Sequence, residues 1–321
     1  MSDIPRHPIG GVDYPRTIQE FDNWFSSDKE CVSYLSKLRW PSGFVCPKCK
    51  GTKWWPTSRN QMRCSSCQKQ TSITAGTIFE GTRKPLRVWF QAMWYVTSQK
   101  FGGNALGLKR VLGLGSYQTA WSWLHKMRRA MVRPDRQQLH GKVEVDEAYL
   151  GGEEEGVSGR YTEKKALVVI AIEIHDPKGF GRIRIRQVPN ASGANLIGFI
   201  RDEIQPGSVI LTDGWKGYSR LKKSEYTRET VIQSASELPA HVNMPGVHRV
   251  ASLLKRWILG THQGAVSNKH LDYYLDEFTF RFNRRSSNAR GLLFYRLLQQ
   301  SVITNPIYYH QIVGGDADVP F

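Results

Sequence analysis

The chain has 321 residues, 40% of them apolar and 23% charged, which excludes a wholesale disordered polypeptide. Its longest unbroken apolar run, Ala166 to Ile172, is far short of the about 20 residues a membrane span needs, and the opening MSDIPRHPIGG has no apolar signal core, so the expected location is the cytosol. Lys and Arg number 45 against 28 Asp and Glu, a formal charge of +17, which calls for a polyanionic partner, nucleic acid foremost, over a merely solvated basic surface.

Residues 1–40 are expected to form an N-terminal helical segment. From Thr17 to Trp40, Ile18, Phe21, Trp24, Phe25, Cys31, Tyr34, Leu35 and Leu38 recur at a spacing that fits two short helices. Pro41-Ser42-Gly43 breaks them. Residues 41–75 hold Cys46-Pro47-Lys48-Cys49, fourteen intervening residues, then Cys64-Ser65-Ser66-Cys67. Two pairs with this spacing predict four thiolates converging on one zinc ion, with a β-hairpin between them turning at Arg59-Asn60-Gln61, as in a zinc ribbon. The alternative is four reduced, buried thiols. The fifth cysteine, Cys31, reads as a buried structural thiol.

Residues 76–135 are helical by period. One helix takes Leu86, Trp89, Phe90, Met93, Trp94 and Thr97, with Pro85 in its first turn. Asn104 caps a second helix through Leu112, Gly113-Leu114-Gly115 turns the chain, and Ser116 caps a third helix to Met131. This reads either as a helix-turn-helix or as a plain helical bundle. His125, Lys126, Arg128 and Arg129 on the third helix suit phosphate contact.

After Pro134 the period falls from 3.6 to 2. Lys142 to Tyr149, Ala166 to Ile174 and Arg182 to Val188 are expected to form an antiparallel meander. Ser192 caps a helix to Ile204, and Ser208 to Asp213 is a fourth strand. Helices follow from about Pro245 to Leu259 and from about Asn268 to Arg285. This order predicts an α/β, RNase H-like domain over 136–300, with 301–321 a C-terminal tail.

In such a sheet the first and fourth strands are neighbours, which brings Asp146 beside Asp213. Adjacent carboxylates repel unless a cation lies between them, and oxygen donors suit Mg2+ or Mn2+. Taken singly, each Asp is a turn cap. On the following helix, His248 and Lys255 lie together on the border of the apolar stripe Val247, Val250, Ala251, Leu254 and Ile258. They suit a metal and a phosphate respectively; a solvated helix residue is the bland reading of His248. Asp276 and Glu277 are fallback ligands, or partners of nearby arginines. Glu144 and Glu147 are expected on the face of the strand opposite Asp146.

VEVDEAYLGG at 143–152, LTDGWKGY at 211–218, VHRVASLLKRWILGTHQGAV from 247 and HLDYYLDEFTFRFNRR to 285 together resemble the bacterial insertion-sequence transposases of the IS fifteen-ninety-five group. The resemblance runs from Cys46 to about Gln300. It implies a zinc ribbon joined to a DDE-type catalytic domain, with structural Zn2+ and catalytic Mg2+ or Mn2+. It implies metal-dependent cleavage and strand transfer on double-stranded DNA, at terminal inverted repeats and a target. A homodimer or larger assembly on DNA, at the bacterial nucleoid, follows. The matching catalytic positions are Asp146, Asp213 and Lys255. This chain departs from the pattern at one position, where His248 replaces the usual Glu. The rival reading is a transposase-derived DNA-binding protein without catalysis.

DNA binding is expected to weaken steeply with salt, each phosphate contact adding about −0.9 to the slope of log K against log salt. A titration between low and physiological salt measures it; a slope near zero would assign the charge surplus another role.

Overall fold

The computed structural model of the chain describes residues 7–57, 61–133, 135–151, 165–175, 177, 179–221, 225–231 and 243–314. The chain divides into two compact units: Met1–Pro134 with Ser287–Phe321, and Asp135–Ser286.

The first unit is helical apart from the cysteine-bearing segment. Helices α1 (Ile18–Trp24) and α2 (Asp28–Arg39) begin where polar side chains satisfy their first amides. Thr17 accepts from the Glu20 amide, and Ser27 and Glu30 form a reciprocal capping box. Helix α3 (Leu86–Ser98) starts just after Pro85, α4 (Ala105–Leu112) is capped by Asn104, and α5 (Tyr117–Ala130) by Ser116. Gly113 ends α4 in the left-handed region at φ 59°, which favours glycine. Trp89 of α3 stacks on Trp123 of α5 with ring centroids 3.8 Å apart.

Two expectations change in this unit. The boundary expected at 300 lies at 286 instead, because the helix Arg290–Ser301 belongs to the aromatic core of the first unit. Its Phe294 lies 5.5–5.9 Å from the rings of Phe21, Phe25, Phe90 and Trp94. Gly291 lets that helix touch the Pro15 carbonyl, where a Cβ would stand only 1.8 Å from the oxygen. The second change concerns α5. His125 and Arg128, expected to meet phosphates, are buried, and the His125 ring bonds the Trp121 carbonyl at 2.8 Å. Helices α4, Arg290–Ser301 and Tyr309–Gly314 all pack on α5, so its C-terminal half is largely covered. Lys126 and Arg129 remain half-buried.

The cysteine segment is a three-stranded antiparallel sheet: β1 (Trp54–Pro56), β2 (Met62–Cys64) and β3 (Gln70–Thr71). Most of the expected turn at 59–61 lies outside the described residues.

The second unit is built on a five-stranded mixed sheet in the order β6-β5-β4-β7-β8. Its strands are β4 (Lys142–Leu150), β5 (Ala166–Ile174), β6 (Phe180–Val188), β7 (Val209–Asp213) and β8 (Thr227–Val231). The first three form the expected meander, and β7 runs parallel to β4. Helix α6 (Gly193–Glu203) covers one face, burying Leu196, Phe199 and Ile200 against Val143, Val145 and Val169. Helix α7 (Pro245–His262) and helix α8 (Leu271–Phe282) cover the other, with Val247, Leu254, Leu275 and Phe278 against Val168, Ile170 and Ile172. Covered on both faces, β5 reads as a continuous apolar run. The side chain of Ser192 makes no capping bond to α6. Strand β8 has no apolar pattern to announce it, being an edge held by parallel pairing with β7. Among the described residues no helix is long and apolar enough to cross a membrane.

The alternating arginines of β6 point to α6. Arg184, which is 4% exposed, pairs with Glu203 at 3.1 Å, and Arg136 and Arg186 reach the same carboxylate at 2.7 and 2.9 Å. Burial, with Arg136 nearby, pulls the Arg184 guanidinium down to about 10. Removing Glu203 would leave that cation buried and uncompensated. Glu203→Ala is therefore expected to destabilise this unit by about 3–5 kcal/mol, read as a lower urea midpoint.

Candidate functional site

Each Cys-x-x-Cys pair closes a tight knuckle. Lys50 donates its amide to the Cys46 carbonyl at 2.9 Å, and Gln68 donates to Cys64 at 3.0 Å. Both Lys50 (φ 62°) and Gln68 (φ 58°) adopt the left-handed conformation, so the two knuckles repeat one geometry. All four sulfurs of Cys46, Cys49, Cys64 and Cys67 lie within 4.8 Å of one another. The Cys46–Cys67 and Cys49–Cys64 Sγ separations are both 3.5 Å. Zinc–sulfur bonds of about 2.3 Å in a tetrahedron need sulfurs about 3.8 Å apart, so the donor set fits a zinc ribbon. The amides of Cys67 and Ser66 pull the Cys64 thiol down to about 6. Cys49, despite the Gly51 amide that favours its thiolate, is pushed up to about 12 by the sulfurs of Cys67 and Cys64. Four ionised thiols at this spacing require a cation. Cys31 stands apart, buried, its thiol pushed up to about 12 by desolvation and then by Asp28.

The second cluster is carboxylate. Parallel pairing of β4 with β7 runs to Glu144 opposite Leu211; two residues beyond stand Asp146 and Asp213. One carboxylate oxygen from each of Asp146, Glu147 and Asp213 lies within 4.8 Å of the other two. Burial, and then the charge of Asp213, raises the Asp146 carboxyl above its ordinary range, against the Glu147 amide and the His248 imidazole, which favour the carboxylate. The loop after β7 is fixed by short bonds. Asp213 Oδ1 accepts from the Trp215 amide at 3.0 Å, and Trp215 Nε1 donates to the Ala191 carbonyl at 2.9 Å. Arg228 of β8 donates to Thr212 Oγ1 at 2.9 Å and to the Asp213 carbonyl at 3.0 Å. Tyr218 is fully buried, and burial together with the charges of Glu147, Asp146 and Asp213 keeps its hydroxyl protonated well above the ordinary range.

The other acidic side chains fall as follows. Glu147 leaves β4 opposite Asp146, as alternation requires, yet its carboxylate joins the cluster. Strand β7 ends at Asp213 while β4 continues to Leu150. The place of Glu147 beside Asp146 in Val-Asp-Glu was the available signal. Glu144, expected on the opposite face, lies on the same face as Asp146, because residues two apart in a strand share a face, and its carboxylate accepts from the Val247 amide at 2.9 Å. His248, half-buried in the first turn of α7, acts on Asp146 but is not one of the three groups within 4.8 Å. Lys255 is exposed two turns further on. Glu277 is fully buried and paired with Arg281 at 2.8 Å, and Asp276 is half-buried on the same helix.

Residues 138–283, which contain the whole carboxylate cluster, match the ISXO2-like transposase domain, and residues 26–70 match the transposase zinc-ribbon domain. The chain belongs to the IS1595 transposase family. An uncharacterised protein in the transposable element ISH50 of Halobacterium salinarum is 29% identical over 280 residues, covering 80% of this chain and 91% of that protein. An uncharacterised transposase-like protein of Haemophilus influenzae is 25% identical over 116 residues, 36% of this chain and 93% of that protein.

Elemental analysis of this transposase, purified without chelator, is expected to give one zinc per chain. Cys64→Ser is expected to lose the metal and, with it, the fold of the ribbon, because so small a sheet has little core of its own. Zinc retained at full occupancy in that variant would remove Cys64 from the donor set.

Proposed function

We propose that this transposase binds the ends of a mobile element and catalyses metal-dependent DNA cleavage and strand transfer. The observation that carries the reading is the meeting of Asp146 and Glu147, midway along β4, with Asp213 at the end of the parallel strand β7, and His248 on the next helix against the same sheet. Strand order β6-β5-β4-β7-β8, three antiparallel and two parallel to the first, supports an RNase H-like catalytic domain.

Three carboxylates in so small a space fit a divalent cation. Asp146 and Asp213 hold it, Glu147 adds a third oxygen donor, and His248 supplies a nitrogen from α7. Bound there, Mg2+ or Mn2+ supplies the positive charge that activates a water or 3′-hydroxyl and stabilises the leaving oxygen. The protein's own groups do the rest. The Trp215 and Arg228 bonds hold the Asp213 loop still. Tyr218, kept protonated, places a neutral hydroxyl beside the acids, and Lys255 offers its ammonium to the scissile strand's phosphates.

DNA is held by the first unit. Residues 41–75 carry six Lys and Arg and no Asp or Glu, and Trp54 and Trp55 are 44% and 42% exposed there. Helices α4 and α5, joined through Gly113, read as a helix-turn-helix, with Tyr117 and Gln118 exposed at the start of its second helix. Terminal inverted repeats are the specific ligand. Cutting both ends of an element requires at least two copies of the chain. The site of action is the cytosol, at the nucleoid.

The test is cleavage and joining by purified protein on DNA carrying the inverted repeats that flank its gene. Asp146→Asn and Asp213→Asn are each expected to lower cleavage by more than about 100-fold while sparing DNA binding. His248→Ala is expected to lose most activity, and His248→Glu to keep part of it and move the preference from Mn2+ toward Mg2+, since nitrogen suits Mn2+ better than Mg2+. Binding without cleavage in the parent protein would make it a non-catalytic derivative of a transposase.

A further inference from the structure

Glu144 is a buried acid on the same strand as Asp146 that the carboxylate cluster does not use. It sits on β4 two residues before Asp146 and is 3% exposed. Its Oε2 accepts from the Val247 amide at 2.9 Å, and the Gly246 amide also faces it. Those amides belong to the first turn of α7, where helical N–H groups have no partner within the helix. Such groups are normally met by a Ser, Thr, Asp or Asn at the helix's own start. Here the residue in that place is Met244, which makes no side-chain cap. The cap comes from the sheet instead.

Gly246 has the complementary role. Its backbone is not in the left-handed region, so its conformation does not require glycine. Space does. A Cβ there would stand 2.8 Å from Glu144 Oε2, 2.9 Å from Ile172 Cγ2 and 3.1 Å from Ile174 Cδ1. A missing side chain on the helix leaves room for the Glu144 carboxylate and the Ile172 and Ile174 side chains against the helix start. The next residue after Val247 is His248.

We propose that Glu144 and Gly246 form a positioning latch that ties the first turn of α7 to the catalytic strand and so sets the His248 ring beside Asp146 as a metal ligand. Neither residue touches the metal or DNA. The proposal rests on reading His248 as a donor to the cation held by Asp146 and Asp213. A buried carboxylate is costly unless its bonds are made, so the contact has one geometry, not a range. The start of helix α7 is thereby tied to β4, and with it the imidazole one residue beyond Val247.

The test uses the full chain with Mn2+ alone as the probe. Pulsed electron paramagnetic resonance on the bound Mn2+ reads nitrogen coupling from a coordinated imidazole. The parent is expected to show that coupling, and His248→Ala to lack it. Glu144→Gln keeps an oxygen acceptor for the Val247 amide and is expected to retain both coupling and affinity. Glu144→Ala is expected to lose the coupling and to bind Mn2+ about 10–100-fold more weakly, the usual scale for removing a residue that orients a ligand. Gly246→Ala leaves every polar group in place and is expected to lose the coupling by displacing the helix start. It decides the matter if Glu144→Ala does not fold by circular dichroism. Coupling retained in Glu144→Ala or in Gly246→Ala overturns the latch. Loss in Glu144→Gln as well as Glu144→Ala overturns it too, because Glu144 would then act by its charge. Bound Mn2+ without nitrogen coupling in the parent overturns the underlying reading of His248.

Discussion

Like charges confined to a few ångströms are the constraint on which this structure turns. Asp146, Glu147 and Asp213 each bring one carboxylate oxygen into a space where the three lie within 4.8 Å of one another. Burial makes the repulsion worse, because a half-buried carboxylate has lost much of the water that would screen it. The Asp146 carboxyl accordingly sits above its ordinary range. Such an arrangement persists only because the sheet enforces it. Parallel pairing of β4 with β7 fixes where the two Asp residues end up, and the cores on both faces fix the sheet. What holds the acids together is therefore apolar burial some distance away, and what would relieve them is a cation.

The thiol cluster poses the same problem and solves it by local means. Its four sulfurs also lie within 4.8 Å, and their thiols are driven apart in acidity, Cys64 to about 6 and Cys49 to about 12. No large core stands behind them. Two repeated knuckles, each turned by one residue in the left-handed region, aim the sulfurs inward. A site made of two four-residue motifs is legible in sequence because everything that shapes it is nearby in the chain. The acid site is assembled from β4 and β7, separated by tens of residues, and depends on the order of the strands.

A surplus of 17 positive charges does not translate directly into a basic surface. Arg128 and Arg184 are buried, and Arg136, Arg182 and Arg186 are committed to Glu203 and Glu173. These arginines work inside the fold, tying β6 and the chain before β4 to the end of α6. Exposed positive charge is carried instead by residues such as Lys255, Arg249 and Arg256 on the outer side of α7, and the ribbon segment has no acid to offset its basic residues.

The sequence by itself determined the elements whose cause is local. Asn104 and Ser116 announced helix starts, the Cys-x-x-Cys pairs announced a metal knuckle, and the apolar run within Ala166 to Ile174 announced a strand. Asp146 and Asp213 were legible as neighbours because strand order followed from the sequence of elements. Tertiary structure alone decided the rest. Thr227–Val231 is a strand because β7 offers it a free edge, and nothing in Thr-Arg-Glu-Thr-Val carries a strand period. Phe294 joins the first unit because four aromatic rings from α1, the chain after it and α3 receive it, a choice no helical period can express. Alternation along β4 tells which face a Cβ leaves from, but not where a longer side chain ends. Glu147 reaches the acids past the end of β7, and Glu144 is drawn to the amides of α7, because partners distant in sequence supply the charge and the hydrogen bonds.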